Sequence, residues 1–548
     1  MKKLKLILGL FAMSVVFTAC AGNATETTGE NNTANELVSD EDANSAGVGS
    51  EVSADKQEPQ YGGNIVLAES ADPQNINPLY VVDQTSFDIQ QALYSPFFEI
   101  VKGEIFYGNG LLESVTPNDD STEFTLKLKD NLKWHDGEKI TADDIVFTMN
   151  TLVDNSQNVP YQSYGYINDQ PVVTSKVDDL TAIIKLPTSS AGFLGGLSQI
   201  YCIPEHIYEG VADIGGSELN NNPVGSGPFK FKEYKSGDSF VVERFDEYFD
   251  GKPYLDTITF KIIKDSNSAN ASLASGDIKG RLISSEDYDT VNGTDKVNIY
   301  NYDSGRVNAM SFNQNNEVLK DAKVRQAIAY ALNKEELVDF AFLSPEFATP
   351  AYSILTKDTL YYDDSLTKYD NDTAKAKSLL AEAGQSNLKM NLVYISTDKI
   401  MENEATYIQS KLAEVGITIE LNPMDESTYK NKIKETDTTD YDLLLHYYTL
   451  GEEPSLYADI LGSASRSNYS RVQDAELDAL WQKGNTVSAQ AERNSVYKEI
   501  QKRTNDNMYL YPIAYSKGFY AIDKSYAGFD KFLLKTIYYD YSKLYKVD

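Results

Sequence analysis

The sequence predicts an α/β protein of two or three domains, on three observations. At 548 residues the chain exceeds what one hydrophobic core serves. Between residues 372 and 421, helix-like and strand-like runs alternate, the order of a largely parallel sheet. Residues 222–263 read instead as consecutive strands. Pro223, Gly225, Gly227 and Pro228 forbid a helix, and strand-like runs over 229–234 and 239–245 flank a turn at 235–238. Ile258, Phe260 and Ile262 then alternate with polar neighbours, as in a strand with one buried face.

Taken in order, the chain begins with Lys2, Lys3 and Lys5 before an apolar run over 6–17. That run is short for a membrane span and has the make-up of an export signal. Thr18-Ala19-Cys20 resembles a bacterial lipobox, in which the cysteine is lipidated after cleavage, although Phe17 replaces the usual Leu. The alternative is an ordinary secretory signal beside a chance cysteine. Residues 21–58 have almost no large apolar side chains and cannot offset their ordering entropy. They are expected to form a disordered tether reaching roughly 35 Å. No later segment is apolar enough to span a membrane.

Folded sequence is expected from Tyr61, with a strand over 64–68 and a surface loop at Val82-Asp83-Gln84. A strand over 124–128 and a turn over 131–138 lead into a helix capped by Thr141, with Asp144 three residues on as in a capping box. Ile145, Val146, Met149 and Leu152 form its buried face. Helices are predicted over 321–332, 372–383 and 404–415, with strands over 388–395 and 417–421. Residues 442–448 are a β-type run ended by Gly451-Glu452-Glu453-Pro454. Helices over 475–481 and 489–503 and a strand over 508–521 close the chain.

Several chemistries are disfavoured. A formal net charge of -33 argues against nucleic acid or an anionic membrane surface as partner. His135, His206 and His446 form no HxH or HExxH pattern, so neither metal nor cofactor is expected. Gly225-Ser226-Gly227-Pro228 lacks the Gly-Lys-Ser/Thr ending of a phosphate loop. Cys202 reads as a buried small hydrophobe, and Trp134-His135-Asp136 as a packed turn. A two-carboxylate hydrolase needs acids about 5–10 Å apart across a cleft, and nothing singles out such a pair. No enzyme is predicted.

The wording of four segments goes beyond periodicity. PVGSGPF with ERFDEYFDGKPYLDTITF, NLKWHDGEKITADDIV, DAKVRQAIAYAL and YTLGEEP together resemble solute-binding protein family 5, the peptide- and nickel-binding receptors of bacterial ABC importers. The resemblance covers nearly everything from Tyr61 onward. It implies a two-lobed periplasmic-binding-protein-like fold of type II, cluster C. The implied layout is a signal peptide over 1–20, a linker over 21–59, a first lobe from 60–89, 222–305 and 519–548, an inserted domain over 90–221, and a second lobe over 306–518. Asp83, Gln84, Asn313, His446, Tyr447, Tyr448, Thr449, Glu452, Glu453 and Tyr515 fall at or near positions that face ligand in the family. From their residues alone, a plain loop at 82–84 and satisfied core roles for His446, Asn313 and Tyr515 fit equally well. Relatives that hold a peptide's amino terminus place an Asp in the 449–453 loop. Here Leu450-Gly451 stand there, with Glu452 as the substitute acid. The implied function is an extracellular lipoprotein, anchored through Cys20, that works as a monomer and delivers an oligopeptide to an ABC permease. An oligosaccharide or a metal chelate is the alternative ligand. A secreted hydrolase or a peptide sensor is the remoter reading.

Overall fold

The computed structural model describes residues 59–528 and 540–547, without 102, 370 and 488. The export signal, Cys20 and most of the linker lie outside the described residues. The described chain is organised by one 11-stranded sheet. Its strands are β1 (Asn64–Glu69), β2 (Phe229–Lys235), β3 (Ser239–Arg244), β4 (Thr257–Ile262), β5 (Gly280–Ile283), β6 (Val297–Phe312), β7 (Ala348–Pro350), β8 (Leu388–Ile395), β9 (Ile417–Met424), β10 (Leu443–Thr449) and β11 (Leu510–Asp523). Across the sheet they run β2-β3-β4-β1-β5-β11-β6-β10-β8-β9, with β7 pairing β11.

Two lobes share this sheet. In the first, β1 runs parallel to β4 and β5. In the second, β8 runs parallel to β9 and β10. The alternation over 372–421 thus does give parallel strands, while β10 against β6 is antiparallel. Between the lobes lie only β6 and β11, an antiparallel pair in register from Val297–Asp523 to Ser311–Leu510. At about 3.3 Å per residue, the 16 residues of β6 are long enough to serve both lobes. The pairing breaks between Asp303 and Arg306. There Gly305 takes φ 67°, and a Cβ on it would sit 2.2 Å from the Leu450 carbonyl oxygen. Only glycine fits this crossing.

One core belongs to the first lobe, and a larger one joins residues of both. Ile65, Leu67, Phe229, Phe260, Tyr520 and Ile522 fill the first, together with Tyr541 and Leu544 from the last described residues. The Tyr526 hydroxyl donates to the Asn64 carbonyl at 2.5 Å. Apolar layers lie on both faces of the second lobe's strands. The chain between β1 and β2 builds a separate four-stranded sheet, Leu112–Pro117, Glu123–Leu128, Thr181–Lys185 and Val173–Asp178. Its core includes Trp134, Ile145, Met149 and Cys202. The helix Ala142–Val153 starts with the capping box formed by Thr141 and Asp144. Cys202 is fully buried and burial pushes its thiol well up, as a packed hydrophobe requires.

Candidate functional site

Sheet direction locates the cleft. β5 runs along β11 until its last residue, Ile283, lies opposite Phe519. β10 runs along β6 until its last residue, Thr449, lies opposite Arg306. The carboxyl ends of strands from both lobes therefore stop at the crossing. Helices begin beyond them: Gln84–Leu93 capped by Asp83, Ser285–Asn292 capped by Ser284, and Lys399–Ala413 capped by Asp398. Open α/β sheets bind ligands in the crevice outside such strand ends.

One strand edge in this crevice is unusual. β8 pairs with β10 only at Leu443 and Leu444. The Leu445 carbonyl accepts from the Tyr429 hydroxyl at 2.7 Å, and from His446 to Thr449 the β10 backbone has β6 on one side and no described strand on the other. Tyr447 and Thr449 are exposed here, and Tyr447 is the most open aromatic of the strand. The Arg306 guanidinium lies 3.6 Å from the centre of its ring.

The other sequence-predicted residues divide. Tyr448 and Tyr515 pack on one face of the second lobe. The Tyr448 hydroxyl donates to the Ile354 carbonyl, and that of Tyr515 to the Ser353 and Leu355 carbonyls. The polar ends of both rings are thus engaged within the lobe. Asp83 and Gln84 are not in a loop. Asp83 accepts from the Ser86 amide as a helix cap, and Gln84, the first helical residue, donates to Asp88. The turn composition of Asp-Gln-Thr-Ser hid this start, since a capping Asp and a loop Asp look alike in sequence.

Three expectations of ligand contact give way to roles in the fold. Asn313 is wholly buried at the far end of β6, its amide donating to the Thr438 and Tyr441 carbonyls. His446 is packed edge-on to Tyr469 and bonded to the Ser311 hydroxyl at 2.9 Å. Burial lowers its pKa to about 4. Glu453 caps the turn Pro454–Ile460 and forms a buried pair with Arg493, at 2.5 and 3.2 Å.

Glu452 serves another purpose, its carboxylate accepting from the Gly103 amide at 2.7 Å. That bond ties the inserted segment to the second lobe. Further contacts make the same connection, as the Asn485 carbonyl accepts from the Ala191 amide at 2.7 Å, and the Ser190 hydroxyl meets Asn485 Oδ1 at 3.0 Å. Gly192 and Gly195 lie flat on this surface. A Cβ on Gly195 would come within 2.6 Å of the Glu453 side chain, which Arg493 holds in place.

Arg306, Asp398 and Glu404 escape a reading of the sequence. Glu404 is fully buried, bonded through Oε1 to Asn308 at 3.3 Å, and burial raises its pKa to about 8, with Asp398 adding to the rise. The Ser516 hydroxyl and Arg306 Nε also donate to Asn308 Oδ1. A lone arginine within the DSGRVN stretch of so acidic a chain is the available signal. In the first lobe, the half-buried Glu69 and the buried Asp88 both have raised pKa values, chiefly through burial, with Asp88 adding to the rise at Glu69. Among the described residues no group of three or more His, Cys, Asp and Glu side chains could hold a metal, and no helix is long and apolar enough to cross a membrane.

Two lobes on crossing strands, with a crevice at the strand ends, define a solute-binding protein. Residues 107–468 match the bacterial extracellular solute-binding proteins, family 5, and the chain belongs to that family. The oligopeptide-binding protein AppA of Bacillus subtilis is 30% identical over 500 residues, 86% of this chain and 89% of that one. The crystal structure of the ABC transporter substrate-binding protein CtaP from Listeria monocytogenes is 40% identical with a TM-score of 0.86, covering 89% of this chain and 100% of that one. The structure of Bacillus subtilis AppA in complex with a nonapeptide, 28% identical, superposes with a TM-score of 0.74 over 90% of this chain and 100% of that one. All three span both lobes. The family is one of receptors, in keeping with the absence of a catalytic motif from the sequence.

Proposed function

We propose that this protein is an extracellular lipoprotein that captures oligopeptides between its lobes and hands them to an ABC permease. The observation that carries the ligand class is the edge of β10 from His446 to Thr449, which no described strand covers. An extended peptide can pair with such an edge through its main chain, giving affinity tolerant of sequence, while neighbouring side chains set preference. Tyr447 offers a large face there. The AppA complex with a nonapeptide supports the same reading. His446, buried and hydrogen-bonded, is spent on packing, which weighs against a nickel chelate.

The proposed layout has the first lobe in 60–89, 222–305 and 519–548, the inserted domain in 90–221 and the second lobe in 306–518. Residues 1–19 are removed, Cys20 carries the lipid, and 21–59 tether a monomeric body to the outer face of the membrane. Asp83, Gln84, Tyr447, Tyr448, Thr449 and Tyr515 line the ligand space, and Glu452 borders it. Native mass spectrometry of the purified full chain, before and after denaturation, tests the ligand class. Co-purified peptides of mixed sequence and narrow length are expected. Binding of oligosaccharides alone would overturn the ligand and leave the receptor.

A further inference from the structure

The inserted segment shares its core with one lobe and only touches the other. Its apolar cluster takes in Leu79 and Tyr80 from the first lobe, and its own Leu93 and Tyr201 pack into the first lobe's core. His135 strengthens that junction, accepting from the Gly225 amide on Nδ1 at 3.1 Å and donating from Nε2 to the Gly227 carbonyl at 3.0 Å. Among the described residues no apolar cluster joins 90–221 to 306–518. The contact with the second lobe is polar instead. It consists of the Gly103 amide on Glu452, and of the Ala191 amide and the Ser190 hydroxyl on Asn485. Asn485 lies in the last turn of the helix Ala475–Thr486, where a carbonyl has no partner within its helix. The Glu453–Arg493 pair beneath Gly195 is complete within the second lobe and needs nothing from the inserted segment. When these surfaces part, amides and carbonyls bond to water instead, an exchange of small net cost. A shared apolar core would resist separation far more strongly. Opening of the lobes must break all three bonds, because each joins a residue fixed to the first lobe to one in the second.

We propose that the inserted domain is a detachable latch, carried on the first lobe, whose bonds to Glu452 and Asn485 hold the two lobes together whether or not a solute lies between them. The latch rests on the two-lobed plan and is independent of the class of ligand. It makes the closed form persist in the empty receptor, and a captured solute leaves only after these bonds part.

The test is hydrogen exchange of the full chain, refolded from denaturant to remove bound solute and read at single amides by mass spectrometry. In this solute-free wild type the Gly103 and Ala191 amides should exchange about tenfold or more slowly than in the unfolded chain. Ser190→Ala, which removes one bond at Asn485, should speed exchange several-fold at Gly103 as well as at Ala191. Glu452→Ala should do the same from the other side. Amides of the strand Thr181–Lys185 should stay protected in both variants, which shows that the inserted domain still folds. Unprotected exchange at Gly103 and Ala191 in the solute-free wild type overturns the latch. So does an effect of either variant that stops at the bond it removes, since the contacts then act separately. Either result leaves the peptide reading standing, because no peptide enters the experiment.

Discussion

Buried acids set the pH behaviour of individual residues. Glu404 is neutral in the folded protein up to about pH 8, whereas unfolded it ionises near 4.5. The folded state therefore binds the extra proton between those values, and stability falls as pH rises through that window. Glu404→Gln, which mimics the protonated acid, should melt progressively above the wild type from pH 5 to pH 9. At about 1.4 kcal/mol per unit the gain approaches a few kcal/mol. Parallel melting curves at both pH values would show that Glu404 does not titrate this way. Glu453 tests another case, a buried carboxylate paired with Arg493. Glu453→Ala leaves a buried guanidinium alone, so a loss of about 3 kcal/mol is expected in urea unfolding. Adding Arg493→Met should recover much of it. At this scale the sequence is least legible. Motif position points to Glu453 and Asn313 as ligand contacts, but it cannot show which polar groups the fold consumes. Tyr447, by contrast, is left exposed near the end of β10.

Elements that announce themselves chemically are readable. The capping box at Thr141 and Asp144 and the strand Leu388–Ile395 lie where local pattern puts them. β6 is not, because Asp303, Ser304 and Gly305 interrupt its alternation where the strand leaves one lobe for the other. The docking of the inserted segment is also invisible in sequence, since glycines report close approach only once their neighbours are known. It yields a firm expectation. Gly195→Val places methyl groups against a Glu453 side chain that cannot yield, so the segment should lift from the second lobe. Binding should weaken about tenfold by calorimetry, with far-ultraviolet circular dichroism unchanged. Unaltered affinity would mean that this contact does not hold the lobes together.

For the whole molecule, the family and its two-lobed plan are legible from four short segments, while the sheet shared by both lobes is not, because its order depends on pairings between residues hundreds apart. Anchoring is a prediction at this scale. Cys20→Ala should move the protein from the membrane to the soluble fraction, and an unchanged distribution would dismiss the lipid. The shared sheet also orders events in time. The strands β7 to β10 on the second lobe's side, and the β11 segment beside them, all precede Phe519. The first lobe instead waits for Phe519 to Ile522 to pair with β5, and for Tyr541 and Leu544 to fill its core. A chain emerging amino end first thus completes the strands on the second lobe's side before the pairing that closes the first. Until the last few dozen residues appear, β1 and its neighbours lack these partners, and their apolar faces have nothing from the carboxyl end to pack on.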